Sequence, residues 1–134
     1  MAINKISREP DYSDLDLDFI AHPTTGDVMK KKGNEAIKRS VRNLILTNFY
    51  DRPFVSRIGS NAQKLLFENG NMLTANFLKD AIREVIINFE PRIAIQDILV
   101  EFDYDRNGYN ATLQYIILNR SEPVVTSLFL ERIR

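Results

Sequence analysis

Acidic and apolar residues alternate strictly through Asp14-Leu15-Asp16-Leu17-Asp18-Phe19, the first patterned stretch of the chain. A period of two is that of an extended strand, so the segment predicts a short half-buried strand with carboxylates on one face and apolar side chains on the other. Residues 22–27, which include Pro23 and Gly26, predict a turn, and Lys30-Lys31-Lys32-Gly33 predicts an exposed loop. The pattern then becomes helical. Ile37, Val41, Leu44 and Ile45 line one stripe behind Asn34, a good N-cap, and predict helix over residues 35 to about 49, ended by Asp51-Arg52-Pro53. Irregular chain over residues 54–60 and a short helix over residues 62–67, ending near Gly70, lead to a second long helix capped by Thr74. Its Phe77, Leu78, Ala81, Ile82, Val85, Ile86 and Phe89 form a broad apolar face. Pro91 forces this helix to stop at Glu90, because proline has no N–H for the helical ladder and its ring clashes with the preceding turn.

Period two returns after that corner. Ile98, Val100, Phe102 and Tyr104 alternate, Ala111, Leu113, Tyr115 and Ile117 alternate back, and Asn107-Gly108 between them is a type I′ hairpin signal. A run over residues 124–130 predicts a third strand. The fold class expected is α+β, with two long helices packed on one face of a C-terminal antiparallel β-meander and a short N-terminal strand. A chain of 134 residues suits one core, so the division expected is an N-terminal arm, residues 1–13, and a single domain, residues 14–134.

Composition narrows the function mainly by exclusion. Eighteen Lys and Arg balance eighteen Asp and Glu, so no net field attracts nucleic acid or anionic lipid, and neither partner is expected. No run reaches the roughly 20 apolar residues of a membrane span, and the start lacks a secretory signal, which predicts a soluble protein made in a cytoplasm. The balance is uneven locally, with two basic and six acidic residues over residues 1–28 but eight basic and two acidic over residues 29–58. Such a split suits neighbouring solvated faces, and also a subunit that meets differently charged partners at its two ends. With no cysteine and His22 as the sole histidine, disulfides, thiolate zinc sites, a Cys nucleophile and a His-rich metal site are excluded.

The candidate catalytic patterns fail one by one. Asp103-Tyr104-Asp105-Arg106-Asn107-Gly108 opens like an EF-hand loop, but Gln114 stands where the bidentate Glu is required, and Phe19 occupies the glycine position of the Asp14, Asp16, Asp18 series. No spacing marks Glu68, Glu84 or Glu90 as the raised acid of a glycosidase. Ser40, Ser56 and Ser60 have only His22, in a turn, as a base, and no glycine-rich phosphate loop occurs. No catalytic residue, cofactor or metal ligand is therefore assigned. Two features suit interaction better. Glu90-Pro91-Arg92 places opposite charges around a rigid corner, although Arg92 has the alternative use of bonding carbonyls at the helix end. The last strand, with Val124, Val125, Thr126, Leu128 and Leu130, has no charge or proline to blunt its edge, so another chain could add a strand there.

The set Asp14-Leu15-Asp16-Leu17-Asp18-Phe19, His22-Pro23 with Gly26-Asp27, residues 40–47 (Ser-Val-Arg-Asn-Leu-Ile-Leu-Thr), Arg52-Pro53-Phe54, Gly59-Ser60, Leu65-Leu66-Phe67 and Glu90-Pro91-Arg92 resembles the baseplate wedge proteins of contractile-tailed phages, the sheath-initiator family with relatives in type VI secretion machines. The likeness runs in order from about Asp14 to Arg134. It implies a structural adaptor without catalysis, located in the tail baseplate of a virion and assembled in the host cytoplasm. It further implies that Glu90, Pro91 and Arg92 dock on the helical core bundle of other wedge subunits. The tail sheath protein would be the partner of the terminal strand, and tail tube or baseplate hub proteins are further candidates. A lysozyme label has been attached to this protein type, so a glycan hydrolase is one alternative. A regulatory adaptor of the same fold is the other.

Overall fold

The computed structural model describes residues 12–118 and 120–133. Most of the expected N-terminal arm therefore lies outside the described residues. The chain forms two compact units, the first ending at Arg39 and the second being Ser40–Arg134.

In the first unit, β1 (Ser13–Leu15) pairs antiparallel with β2 (Lys30–Lys32), with Asp14 opposite Lys31. Lys30 to Lys32 is thus a strand where the sequence predicts a loop, because a partner strand is available to fix its backbone. Between the two, Ala21 bridges Val28 and the N–H of Gly26 (φ +68°) donates to the His22 carbonyl at 2.9 Å, which makes the expected turn. The alternating segment behaves differently from its pattern. Extended pairing stops at Leu15, the Phe19 N–H donates to the Asp16 carbonyl at 3.1 Å, and Phe19 itself has φ +53°. Asp16 is buried, whereas Leu15, Leu17 and Phe19 are 61%, 49% and 72% exposed. The apolar face of the predicted strand therefore faces outward. The cause is charge pairing: the Asp16 carboxylate lies 3.4 Å from Lys31 Nζ and 3.7 Å from the Arg39 guanidinium, which also pairs with Asp18. A carboxylate held by two cations can be buried, and the strand up to Leu15 and the turn that follows it leave the apolar side chains on the outside.

Helix α1 (Asn34–Leu46) begins after Gly33, whose φ of +60° lets its carbonyl accept from the Ile37 N–H. Ile37, Val41, Leu44 and Ile45 are buried as the stripe predicts. The helix ends three residues early. Its last carbonyls are taken by side chains from further along, with Ser60 Oγ donating to the Ile45 oxygen at 2.7 Å and Gln63 Nε2 to the Leu46 oxygen at 3.0 Å. Tertiary bonds of this kind satisfy a helix end as well as another turn would.

The second unit continues through α2 (Ala62–Leu65) to α3 (Met72–Phe89). Asn71, not Thr74, caps α3: its side-chain oxygen accepts from the Thr74 N–H at 2.8 Å, and Thr74 lies within the first turn with its hydroxyl donating to the Asn69 carbonyl at 2.9 Å. Asn71→Ala should lower stability by about 1 kcal/mol, read by chemical denaturation, while Thr74→Val should leave the cap intact. Helix α3 packs on a sheet of β3 (Ile93–Asp103), β4 (Gly108–Ile117) and β5 (Pro123–Glu131), antiparallel in the order β3-β4-β5. Leu78, Ile82, Val85 and Ile86 of α3 are buried, as are Ile98, Tyr109, Ala111, Leu113, Tyr115, Ile117 and Leu130 of the sheet. The β3–β4 hairpin closes differently from the two-residue type I′ turn. Asp103 pairs with Gly108, so four residues cross over, and the Asp103 carboxylate accepts from the backbone N–H groups of Asp105 and Arg106, each at 3.1 Å. Asn107 supplies the positive φ, +49°, that the sequence signal anticipates.

Candidate interaction surfaces

The Glu90-Pro91-Arg92 corner is a closed clasp. The Glu90 N–H makes the last helical bond, to the Ile86 carbonyl at 2.9 Å, and its φ of −123° and ψ of 80° then leave the helix. Two residues later the Arg92 carbonyl accepts from the Leu118 N–H at 3.0 Å, which opens the β3–β4 ladder. Proline between them holds one dihedral of the turn. Glu90 is only 2% exposed. Its Oε1 accepts from Arg92 Nε at 2.6 Å, and its Oε2 accepts from Arg92 Nη2 at 2.8 Å and from Ser40 Oγ at 2.6 Å. Burial alone would push the Glu90 carboxyl up, but the hydrogen bonds from Arg92 and Ser40 and the guanidinium charge outweigh it and hold it below the usual carboxylate range. A general acid requires the opposite shift, so Glu90 is unsuited to protonate a leaving group. Arg92 thus bonds the Glu90 carboxylate through both Nε and Nη2. Outward, the corner presents the exposed Pro91 ring and the partly exposed Arg92.

The sequence offers Ser40 only as a nucleophile without a suitable base and as part of the family resemblance, and does not pair it with Glu90. Ser40 lies on α1 next to Val41 of the buried stripe, fifty positions from Glu90, and only a polar residue beside an apolar stripe hints at it.

Among the described residues no strand pairs with the outer flank of β5. Which backbone groups face that flank follows from the ladder. The Arg132 N–H donates to the Asn107 carbonyl at 3.1 Å, one position beyond the Gly108–Glu131 pair. Hydrogen-bonded pairs recur every second residue in an antiparallel ladder, so Val124, Thr126, Leu128 and Leu130 bond inward to β4. The N–H and C=O groups of Val125, Ser127, Phe129 and Glu131 then point outward. Side chains share that period: Leu130 is buried, Val124, Thr126 and Leu128 are half-buried, and the Thr126 hydroxyl lies 3.1 Å from the Tyr115 hydroxyl. Val125 is 59% exposed on the other face. Of the five strand residues picked from sequence, four face the core and Val125 carries outward backbone groups. The corner and the start of β5 lie at the same end of the sheet, because Arg92 adjoins Leu118 and Pro123 pairs with Ile116. Two strand spacings, about 10 Å, separate them.

A family model described as "Baseplate wedge protein gp25" matches residues 31–121. The chain belongs to this family. Among curated relatives, "Baseplate wedge protein gp25" of Enterobacteria phage T4 is 35% identical over 105 residues, which span 76% of this chain and 75% of the phage protein. A chain of the anti-feeding prophage baseplate shares the fold with a TM-score of 0.63 at 20% identity, over 92% of this chain and 88% of that one. A Geobacter sulfurreducens protein described as a candidate tail lysozyme has a TM-score of 0.62 at 20% identity, over 72% of this chain and 90% of that one. A chain of the postcontracted pyocin R2 baseplate gives 0.51 at 14%, over 82% and 96%. The region matched by the gp25 family model contains the Glu90-Pro91-Arg92 clasp and ends before β5.

Proposed function

We propose that this chain is a structural subunit of a contractile-tail baseplate wedge that docks through the Pro91–Arg92 side of its clasp and starts the sheath through β5. Membership of the baseplate wedge family supports the first part. The observation that carries the second is the outer flank of β5, where Val125, Ser127, Phe129 and Glu131 direct backbone donors and acceptors away from β4. A strand from a sheath subunit would pair with these groups in a register set by the alternation of the strand, and the first ring would thereby pass a defined geometry to the next. Catalysis has no place in this role, and the downward shift of Glu90 speaks against reading the clasp as the acid of a glycan hydrolase.

The test removes one outward N–H. Ser127→Pro deletes a donor that β4 does not use, a position at which edge strands tolerate proline, whereas Thr126→Pro breaks the internal ladder and serves as the folding control. Particles carrying Ser127→Pro should contain the wedge at normal copy number and lack polymerised sheath in electron micrographs. Sheaths of normal length on such particles would refute the strand-pairing mechanism.

A further inference from the structure

The connection between α1 and α2, residues 47–60, has a pinned base and a bare tip. At the base, the Ser60 N–H donates to the Thr47 carbonyl at 2.8 Å, Ser60 Oγ to the Ile45 carbonyl at 2.7 Å, and Asn48 Nδ2 to Gln63 Oε1 at 2.6 Å. Gly59 sits so close to Asn48 and Phe49 that an added Cβ would fall 2.4 Å from their backbone. Within the loop, the Asn48 N–H donates to the Asp51 carboxylate at 2.9 Å and the Tyr50 N–H, at φ +71°, to the Ser56 carbonyl at 3.0 Å. The backbone is therefore tied at both ends of the tip, and Pro53 stiffens its middle. The side chains point the other way: Tyr50 is 81% exposed, Phe54 99% and Val55 49%, with exposed Arg52 and Arg57 on either side.

Large apolar side chains are usually buried, and three held outward on one ordered loop next to two arginines form a surface unlike ordinary solvated loop. Tyr and Arg are the residue types that dominate binding hot spots, and a loop already fixed in its bound shape loses little conformational entropy on docking. We infer that this loop is a third docking element, which inserts Phe54 into an apolar socket rimmed by carboxylates on another protein of the same assembly. The rim chemistry follows from charge. The tip carries two exposed guanidinium groups, Arg52 and Arg57, against the single carboxylate of Asp51, which accepts from the Asn48 N–H, so its net charge is positive, within the basic stretch of residues 29–58. A cleft of about 160 Å³ between the loop base and α3, lined by Phe49, Ser60, Glu84, Val85 and Asn88, gives one partner side chain a seat at the base of the same loop. From the proposed function this takes only that the chain works inside an assembly; it is independent of β5.

The experiment places the photo-cross-linking amino acid p-benzoyl-phenylalanine at Phe54 and, separately, at Val125, in full-length protein within purified particles. Position 54 should cross-link to one other particle protein at a segment containing Asp or Glu. Silence at 54 in particles where 125 cross-links would overturn the loop proposal alone, and silence at both would overturn the assembly reading with it. A product formed with nucleic acid, or only with a second copy of this chain, also overturns the proposal. In parallel, Phe54→Ser should leave the melting temperature of the purified chain unchanged, because the ring is fully exposed, while incorporation into particles falls roughly 30-fold, as for loss of a hot-spot residue. Wild-type incorporation of Phe54→Ser would overturn the assignment.

Discussion

Glu90→Gln is expected to destabilise the isolated chain by about 2 kcal/mol at neutral pH, roughly the contribution of charge-assisted hydrogen bonds to a buried carboxylate. Glutamine keeps the shape and one acceptor oxygen but loses the charge that Arg92 Nε and Nη2 bond at 2.6 and 2.8 Å. The variant should also differ in its response to acid. Because the folded carboxyl titrates below its unfolded value, the clasp contributes fully above the ordinary glutamate range and is lost as pH falls through the lowered folded value. The stability gap between wild type and Glu90→Gln, measured by circular dichroism in denaturant, should therefore narrow steadily as the pH is taken from about 6 towards 3. A gap independent of pH would mean that the charge of Glu90 is not what the clasp uses. Ser40→Ala should show the same pattern at smaller size, since it removes one bond to the carboxylate and leaves those from Arg92.

Gly59→Ala is expected to be comparably severe for a different reason. The new methyl carbon would lie 2.4 Å from the Asn48 carbonyl carbon and the Phe49 nitrogen, and neither is the end of a flexible side chain. Forced overpacking of this kind typically costs about 1–3 kcal/mol, and relief here requires the parallel bridge between Asn48 and Ser60 to open. Stability should therefore drop, and protease cleavage within residues 47–60 should accelerate more than the global loss predicts, because the loop base is what gives way. An alanine variant with wild-type denaturation and an uncut loop would show that the base is not pinned as described.

Much of the second unit was legible because its signals are local. The stripe behind α1, the apolar face of α3, the stop at Pro91 and the two alternating strands of the hairpin each arise from residues within a few positions of one another, where periodicity alone selects helix or strand. The boundaries were less legible. Helix α1 stops at Leu46 because Ser60 and Gln63 reach back to its last carbonyls, and α3 is capped by Asn71 although Thr74 is also a capping residue. In both places several local solutions are nearly equal in energy, and the surrounding packing chooses between them.

The chain's own order of residues determined that it is α+β, that a helix turns sharply into a strand at Glu90-Pro91-Arg92, that the last strand carries no charge or proline over residues 124–130, and to which family it belongs. Tertiary structure decided the rest. It turned Leu15, Leu17 and Phe19 outward, because Asp16 meets Lys31 and Arg39, which lie fifteen and twenty-three positions away in the chain. It joined Ser40 to the clasp and chose which alternate residues of β5 bond inward. Periodicity says that two faces differ, and it is silent on which of them meets the remainder of the molecule. That choice is made by charges and backbone groups brought together from distant positions, and their energies exist only once the chain has folded.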